Sequence, residues 1–256
     1  MSTSRRDWLR GALTGLAGLS VSACNRLSQS PRVNRTLDGA ETLTRRVQGA
    51  LLGRTVLAQE FPASAISRDF RANGSTSPDS DEYRQHVANG FADWRLEIGG
   101  LVEHPLSLSL ADLRAAPSRT QITRHDCVEG WSCIAKWKGA RLGPLLEQAK
   151  LKPQARYLAL FCADTLELTL DGTGDYYETI RPDDAFHPQT ILAYEMNDAP
   201  LPVANGAPVR LRLERALGYK MAKYVMRIEA IDSFAKLGLG KGGYWEDRGY
   251  QWYAGI

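Results

Sequence analysis

Thr123-Arg124-His125-Asp126-Cys127-Val128-Glu129-Gly130-Trp131-Ser132-Cys133 is the most informative run of the chain. Residues 120–123 read as a strand, so Cys127 follows a strand end, among Arg124, His125 and Trp131. A thiolate forms at neutral pH only beside positive charge or a metal. As a soft ligand it suits a metal that accepts sulfur. Cys127 and Cys133 stand six apart, which is not the CxxC spacing of zinc or redox motifs. The histidines at 86, 104, 125 and 187 form no HExxH pair, so zinc is not expected. Taken alone, these residues leave three readings of Cys127: a buried structural thiol, a soft-metal ligand, or a redox thiol working with Cys133.

Outward from this run the chain is rich in short strands. Trp94, Leu96 and Ile98 alternate, and Gly99-Gly100 is expected to end that strand. Ser109-Leu110-Ala111-Asp112 predicts a helix start with Ser109 as its N-cap. Residues 142–149 predict a second short helix. Segments 157–161, 166–170, 191–196, 209–213 and 224–231 predict strands. Residues 70–81 hold glycine, serine, proline and aspartate in excess and predict a long loop. Helices are few and follow no βαβ rhythm, so the expected class is α+β with a mixed sheet. No linker interrupts residues 61–256, which are expected to form one domain of catalytic size.

The N-terminus reads as an address. Arg5-Arg6-Asp7-Trp8-Leu9 precedes an uncharged stretch, 11–23, too short to anchor in a bilayer but suited to a signal-peptide core. The pattern resembles a twin-arginine (Tat) export signal over residues 1–23. Val21-Ser22-Ala23-Cys24 resembles a lipobox, which would leave Cys24 lipidated and the protein held at a membrane. Residues 24–60 are then expected to form a polar tether and an amphipathic helix carrying Leu37, Ala40, Leu43 and Val47 at helical spacing. The expected location is the periplasm.

Composition narrows the class further. The chain has 256 residues, 32 basic and 29 acidic, a net charge of +3. That balance, reduced further once the arginine-rich signal is removed, argues against a nucleic-acid partner. Four cysteines are too few for a disulfide scaffold. Cys133 and Cys162 are expected to be free buried thiols, although a pair between them stays open.

Four segments, in order, resemble the sulfite oxidase-like molybdopterin enzymes. The run from His125 to Gly139 is similar to that family's cysteine loop. Ile191-Leu192-Ala193-Tyr194-Glu195-Met196-Asn197 followed by Pro200-Leu201-Pro202 resembles its LAYEMNG-x-PLP segment. Asn205-Gly206-Ala207-Pro208-Val209-Arg210-Leu211 resembles its (H/N)GAPVRL segment. Gly218-Tyr219-Lys220-Met221-Ala222-Lys223-Tyr224 through Ile228 resembles its GxKSxKW segment. The resemblance covers about residues 65–235.

The resemblance implies a sulfite oxidase-type fold of mixed sheets and short helices, without the C-terminal Ig-like dimerisation domain. It implies a molybdenum–molybdopterin cofactor (Moco), with Cys127 as metal ligand. Asn73, Asn205, Arg210, Gly218, Tyr219, Lys220, Met221, Ala222 and Lys223 are implied as cofactor-binding residues. Arg210 offers a planar fork, and Lys220 with Lys223 and nearby amides are expected to cradle a phosphate. Ala163 and Asp164 are expected near the pterin. A tyrosine beside the metal is implied at Tyr176, with its neighbour Tyr177 left open by alignment.

The implied activity is two-electron oxygen-atom transfer on a small oxo substrate. Electrons would come from a separate partner, a membrane cytochrome b or a soluble periplasmic carrier, and the enzyme is expected to be monomeric. A pterin- or anion-binding lipoprotein scaffold without turnover is the alternative. Sulfite oxidases carry basic residues after the metal cysteine, whereas Glu129-Gly130-Trp131 follow here, and Ala72 stands where an arginine usually precedes Asn73. Sulfite is therefore a poor fit. The loop is closer to exported members that reduce methionine sulfoxide. The aromatic run at 244–253 is expected to form a packed lid or a docking surface.

Overall fold

The structure, a computed structural model, describes residues 56–256 and, before them, positions 30, 32, 33, 36, 39, 40, 43, 44 and 47. All of those earlier positions except 30 are helical. The signal segment 1–23 and Cys24 lie outside the described residues. Among the described residues no helix is long and apolar enough to cross a membrane. The fold below is that of the compact unit Arg54–Ile256.

Ten strands form two five-stranded sheets: β1 (Arg95–Gly100), β2 (Leu106–Ser109), β3 (Ser118–Asp126), β4 (Ser132–Arg141), β5 (Tyr157–Thr165), β6 (Asp175–Ile180), β7 (Ile191–Met196), β8 (Ala199–Pro200), β9 (Arg210–Arg212) and β10 (Val225–Ile231). The first sheet runs β2-β1-β10-β5-β6. It is mixed, because β1 lies parallel to β10 while its other pairs are antiparallel. The second sheet runs β3-β4-β7-β8, with β9 also on β7. Five helices are short: α1 (Asp81–Ala88), α2 (Leu110–Ala115), α3 (Leu142–Ala149), α4 (Pro182–Ala185) and α5 (Tyr244–Asp247).

Local sequence explains most of these elements. In β1, Leu96 and Ile98 face the core while Arg95 and Glu97 are exposed, the period of a half-buried strand. Gly99 and Gly100 end this strand and still pair with Glu229 and Ala230. A Cβ on Gly100 would stand 2.4 Å from the Ala230 carbonyl oxygen, so only glycine lets the strands close there. Ser109 caps α2 in a capping box with Asp112. α3 buries Leu142, Leu145, Leu146 and Ala149 against Trp94, Leu96 and Ile98 in the main core.

Several elements depart from expectation, and β2 and β4 have no counterpart among the expected strands. Residues 166–170 are not a strand: β5 ends at Thr165, and Leu168 and Leu170 lie fully exposed in the turn region before β6. That turn carries no ladder that could bury its leucines. α1, unforeseen because its sequence is polar, starts where Ser80 accepts the Tyr83 amide and buries Tyr83 alone.

Candidate active site

The β3–β4 hairpin carries Cys127 at its tip. The two strands pair over nine positions up to Asp126 and Ser132, leaving five residues to turn. The Cys127 amide donates to the Trp131 carbonyl (2.9 Å), the Gly130 amide donates to the Cys127 carbonyl (3.0 Å), and Gly130 adopts φ +85°. That geometry needs glycine at 130 and leaves Cys127 half-buried and fixed. Burial pushes its thiol above the ordinary value, the Glu129 charge adds to this, and amide contacts and Arg71 oppose it. The loop therefore does not ionise the thiol by itself, and Cys127 would be a thiolate only as the ligand of a bound metal.

Cys127 opens into a cleft of about 170 Å³, partly open to solvent. Five pieces of chain build it: the Asn73–Ser75 loop, the hairpin tip with Val128 and Glu129, the β5 end with Asp164 and Leu166, Tyr176 on β6, and the β9–β10 connection with Tyr219, Met221 and Lys223. Trp245 and Tyr250 complete the lining from the C-terminal segment.

Lys223 holds two of these pieces together. Its ammonium donates to the carbonyls of Asn73 (2.6 Å), Ser75 and Ala204 (3.0 Å). Burial, with the nearby Arg210 charge, lowers its pKa to about 7. Gly206, at φ +111°, admits the Lys223 stem; a Cβ there would meet Lys223 Cβ at 2.9 Å. Asp164 is buried and accepts from the Ser75 hydroxyl (2.7 Å), and burial holds its carboxyl above the usual range.

Beneath the hairpin lies a buried cationic stack. Arg210 and Arg212 sit over the Trp137 ring at 5.3 and 4.4 Å. Arg210 donates to the carbonyls of Asn205 (3.0 Å) and Met221 (3.4 Å), and burial lowers its pKa to about 9. Arg212 grips Glu214 with two bonds of 2.9 and 2.7 Å and reaches His125 Nδ1 at 3.1 Å. A guanidinium only donates, so His125 Nδ1 accepts and the ring is neutral. Burial drives its pKa well below the usual value. A Cβ on Gly218 would lie 2.4 Å from the His125 ring, which seats Gly218 on that face.

The implied site residues thus divide. Cys127, Asn73, Tyr176, Tyr219, Met221, Lys223 and Asp164 line the cleft. Asn205, Arg210, Gly218, Ala222 and Ala163 stand outside the lining. Arg210 braces the cleft's loops through their carbonyls and does not present its fork to the cleft.

Lys220, expected in a phosphate cradle, stands outside the cleft lining. Its ammonium is buried between Glu178 (2.5 Å) and Glu246 (2.6 Å) under the Trp252 ring, because a buried cation requires carboxylates. Lys223, for its part, already directs its ammonium at three carbonyls. Tyr176 donates its hydroxyl to the Tyr219 carbonyl (2.6 Å), and Tyr177 turns away to Asp247 and the Leu237 carbonyl. Arg71, one place from the usual arginine position, lies over Trp131 at 5.4 Å and 3.8 Å from Glu129.

Ser75, Leu166, Trp245 and Tyr250 were not singled out individually by sequence. The aromatic run at 244–253 was the only signal for the last two. Cys127, Cys133 and Cys162 are all unpaired, and Cys133 and Cys162 lie on different sheets. Among the described residues no cluster of three histidine, cysteine or acidic side chains could hold a metal by itself.

A pterin-bound metal needs one soft protein ligand and a ring of polar partners. The residues present fit that demand. Asn73 Oδ1 and Asp164 Oδ1, both in the cleft lining, are buried without a partner. Unpaired buried polar atoms are costly and call for a ligand. They are tied to one another through Lys223 and Ser75, in the cleft that Cys127 lines.

Known proteins bear on the same residues. The oxidoreductase molybdopterin binding domain profile matches residues 84–236. Over 252 residues the chain is 36% identical to a putative protein-methionine-sulfoxide reductase subunit YedZ1 of Azospira oryzae, covering 98% of this chain and 88% of that one. It is 31% identical over 207 residues to the protein-methionine-sulfoxide reductase catalytic subunit MsrP of Campylobacter jejuni, covering 71% of this chain and 69% of that one. The sulfane dehydrogenase SoxCD of Paracoccus pantotrophus overlaps with a TM-score of 0.49 at 24% identity, over 56% of this chain and 39% of that one.

Proposed function

The chain belongs to the family of oxidoreductases built on the molybdopterin binding domain, and from that premise we propose that it reduces methionine sulfoxide to methionine. The overall change is a sulfoxide plus two electrons and two protons giving a thioether and water. When bound, the molybdenum–pterin unit supplies the two-electron redox and oxygen-atom exchange.

The composition of the cleft carries the reading. Cys127 shares it with Leu166, Met221, Trp245 and Tyr250, while its charged side chains are the carboxylates Glu129 and Asp164 and the already engaged Lys223. Such a lining favours a neutral, alkyl-bearing oxo compound and disfavours a dianion. The names of the relatives, methionine-sulfoxide reductases, support the same substrate class.

The residues take distinct roles. Cys127 holds the metal as thiolate. The unpaired amide oxygen of Asn73, in the cleft lining, would accept from the pterin's ring donors, and Asn205 stands on the loop that Arg210 braces. Tyr219, Met221 and Lys223 wall the cofactor, and Arg210 with Gly206 fixes the loop that carries Asn205. Gly218 and Ala222 set the backbone of the same connection. Tyr176 donates its hydroxyl to the Tyr219 carbonyl and lines the cleft with Cys127, fixing the wall beside the metal position.

The twin-arginine pair supports export of the folded protein to the periplasm over residues 1–23, with Cys24 as lipid anchor. Residues 61–256 are the catalytic domain. A cytochrome b in the membrane, or a soluble periplasmic carrier, supplies the electrons.

The test is metal analysis of protein purified after native export, followed by reduction of N-acetylmethionine sulfoxide with a reduced viologen dye. Equimolar molybdenum with methionine formation is expected. Metal-loaded protein that turns over no sulfoxide would leave the non-catalytic scaffold as the better reading.

A further inference from the structure

The cleft has two unlike groups of lining residues. Asn73, Ser75, Asp164 and Lys223 form one hydrogen-bonded polar group in its lining, and Leu166, Met221 and the stacked Trp245 and Tyr250 supply its apolar and aromatic lining. Trp245 and Tyr250 lie beyond residue 236, where the match to the shared domain ends. They are therefore furnished by a segment that follows the cofactor-binding body.

That segment is held firmly. Within and just after α5, three consecutive side chains are each tied to a different element. Glu246 bonds Lys220 of the β9–β10 connection (2.6 Å). Asp247 accepts from the Tyr177 hydroxyl of β6 (2.8 Å) and from the amides of Leu239 (2.8 Å) and Lys241 (2.9 Å). Arg248 pairs with Glu167 beside Leu166 and lies 3.5 Å over the Tyr244 ring.

Between these ties the aromatic faces are set. Trp245 stacks on Tyr250 at 5.3 Å and 26°, and Tyr250 meets Tyr219 edge-on at 5.2 Å. The Tyr250 amide donates to the Trp245 carbonyl (3.0 Å), closing the loop on itself. Rings held this way present a preformed surface, so little ordering cost attends binding.

We propose that Trp245 and Tyr250 are specificity-determining residues, an aromatic wall that receives the alkyl and sulfur portion of a methionine sulfoxide side chain. This rests on the sulfoxide-reductase reading above. Sulfur and methylene groups pack favourably on aromatic faces, with sulfur often at the ring edge. The neighbouring acidic side chains Glu129 and Asp164 disfavour a small dianion in the same space. A substrate with the longer alkyl chain gains from the wall, whereas dimethyl sulfoxide is too short to use much of it. Differences of one methylene in an apolar pocket change selectivity by roughly 10–200-fold.

The test compares Trp245→Ala, Trp245→Phe and Tyr250→Ala holoenzymes with the parent. The readouts are kcat and KM for N-acetylmethionine sulfoxide and dimethyl sulfoxide, molybdenum content, and quenching of tryptophan fluorescence by N-acetylmethionine sulfoxide. The kcat/KM ratio of the longer to the shorter sulfoxide should fall about tenfold in Trp245→Ala, through KM. Trp245→Phe should recover most of that ratio, and metal content should stay at the parent level. The parent's fluorescence quenching should weaken in Trp245→Ala and Tyr250→Ala. A ratio that does not move in an active parent background overturns the wall alone, as does loss of activity in step with loss of metal. A metal-loaded parent that reduces neither sulfoxide overturns the substrate reading and the wall with it.

Discussion

Replacing Lys220 by Met separates a structural lysine from a phosphate-binding one. Lys220, Glu178 and Glu246 are 4%, 0% and 2% exposed, so neither carboxylate has access to water once the ammonium is gone. Glu178 Oε1 keeps only the Thr179 amide (2.7 Å), and both Oε2 atoms already lack partners. Removing one member of a buried ion pair costs about 3–5 kcal/mol. For a unit of this size that lowers Tm by on the order of 10 °C.

Glu246→Gln is the counterpart. It leaves the Lys220–Glu178 pair intact and removes the surplus negative charge, so the cost should be only about 1 kcal/mol. The pH dependence follows from Glu178, whose carboxyl burial and the Glu246 charge hold well above the usual range, against the pull of Lys220. A carboxyl whose folded pKa is raised takes up a proton on folding. Its stability contribution is complete below the unfolded value, about 4.3, and declines as pH rises toward the folded value. Glu246→Gln should flatten that decline.

The assay is thermal unfolding by circular dichroism between pH 5 and 8, on metal-free and metal-loaded protein. If Lys220→Met melts like the parent in the metal-free state and loses only the cofactor, Lys220 serves the cofactor directly and the assignment is wrong.

Three further outcomes are expected. Cys127→Ser should abolish sulfoxide reduction while moving Tm by less than about 3 °C, since the change is nearly isosteric at a half-buried site; retained turnover would refute the metal-ligand role. Gly218→Ala should push on the His125 ring, 2.4 Å from the new Cβ, costing about 1–3 kcal/mol and shifting the visible absorption of the loaded enzyme through Cys127, two residues on. Ser109→Ala should remove the α2 capping box, costing about 1 kcal/mol in denaturant titration with kcat and KM unaltered.

Much of the fold was legible because local rules act without tertiary help. The Leu96/Ile98 alternation, the Ser109–Asp112 box and the 142–149 apolar face each met the partner their pattern demands. Residues 166–170 misled because strand propensity says nothing about whether a neighbouring strand exists to pair with. α1 was missed because its polar sequence buries only Tyr83, so no apolar stripe marks it.

By itself the sequence determined the class of fold, the cysteine that stands at a hairpin tip, and the order of segments around it. These depend on residue identity and spacing along the chain. Only the tertiary structure decided which side chains face the cleft. Tyr176 and Tyr177 are neighbours in sequence, yet the strand pleat sends one to the cleft and the other to Asp247. Lys220 and Lys223 share a motif, yet one is drawn between Glu178 and Glu246 and the other clasps three carbonyls at the cleft. The physical reason is the same in both cases. A buried polar group goes where its partners are, and those partners come from strands and loops far away in the chain.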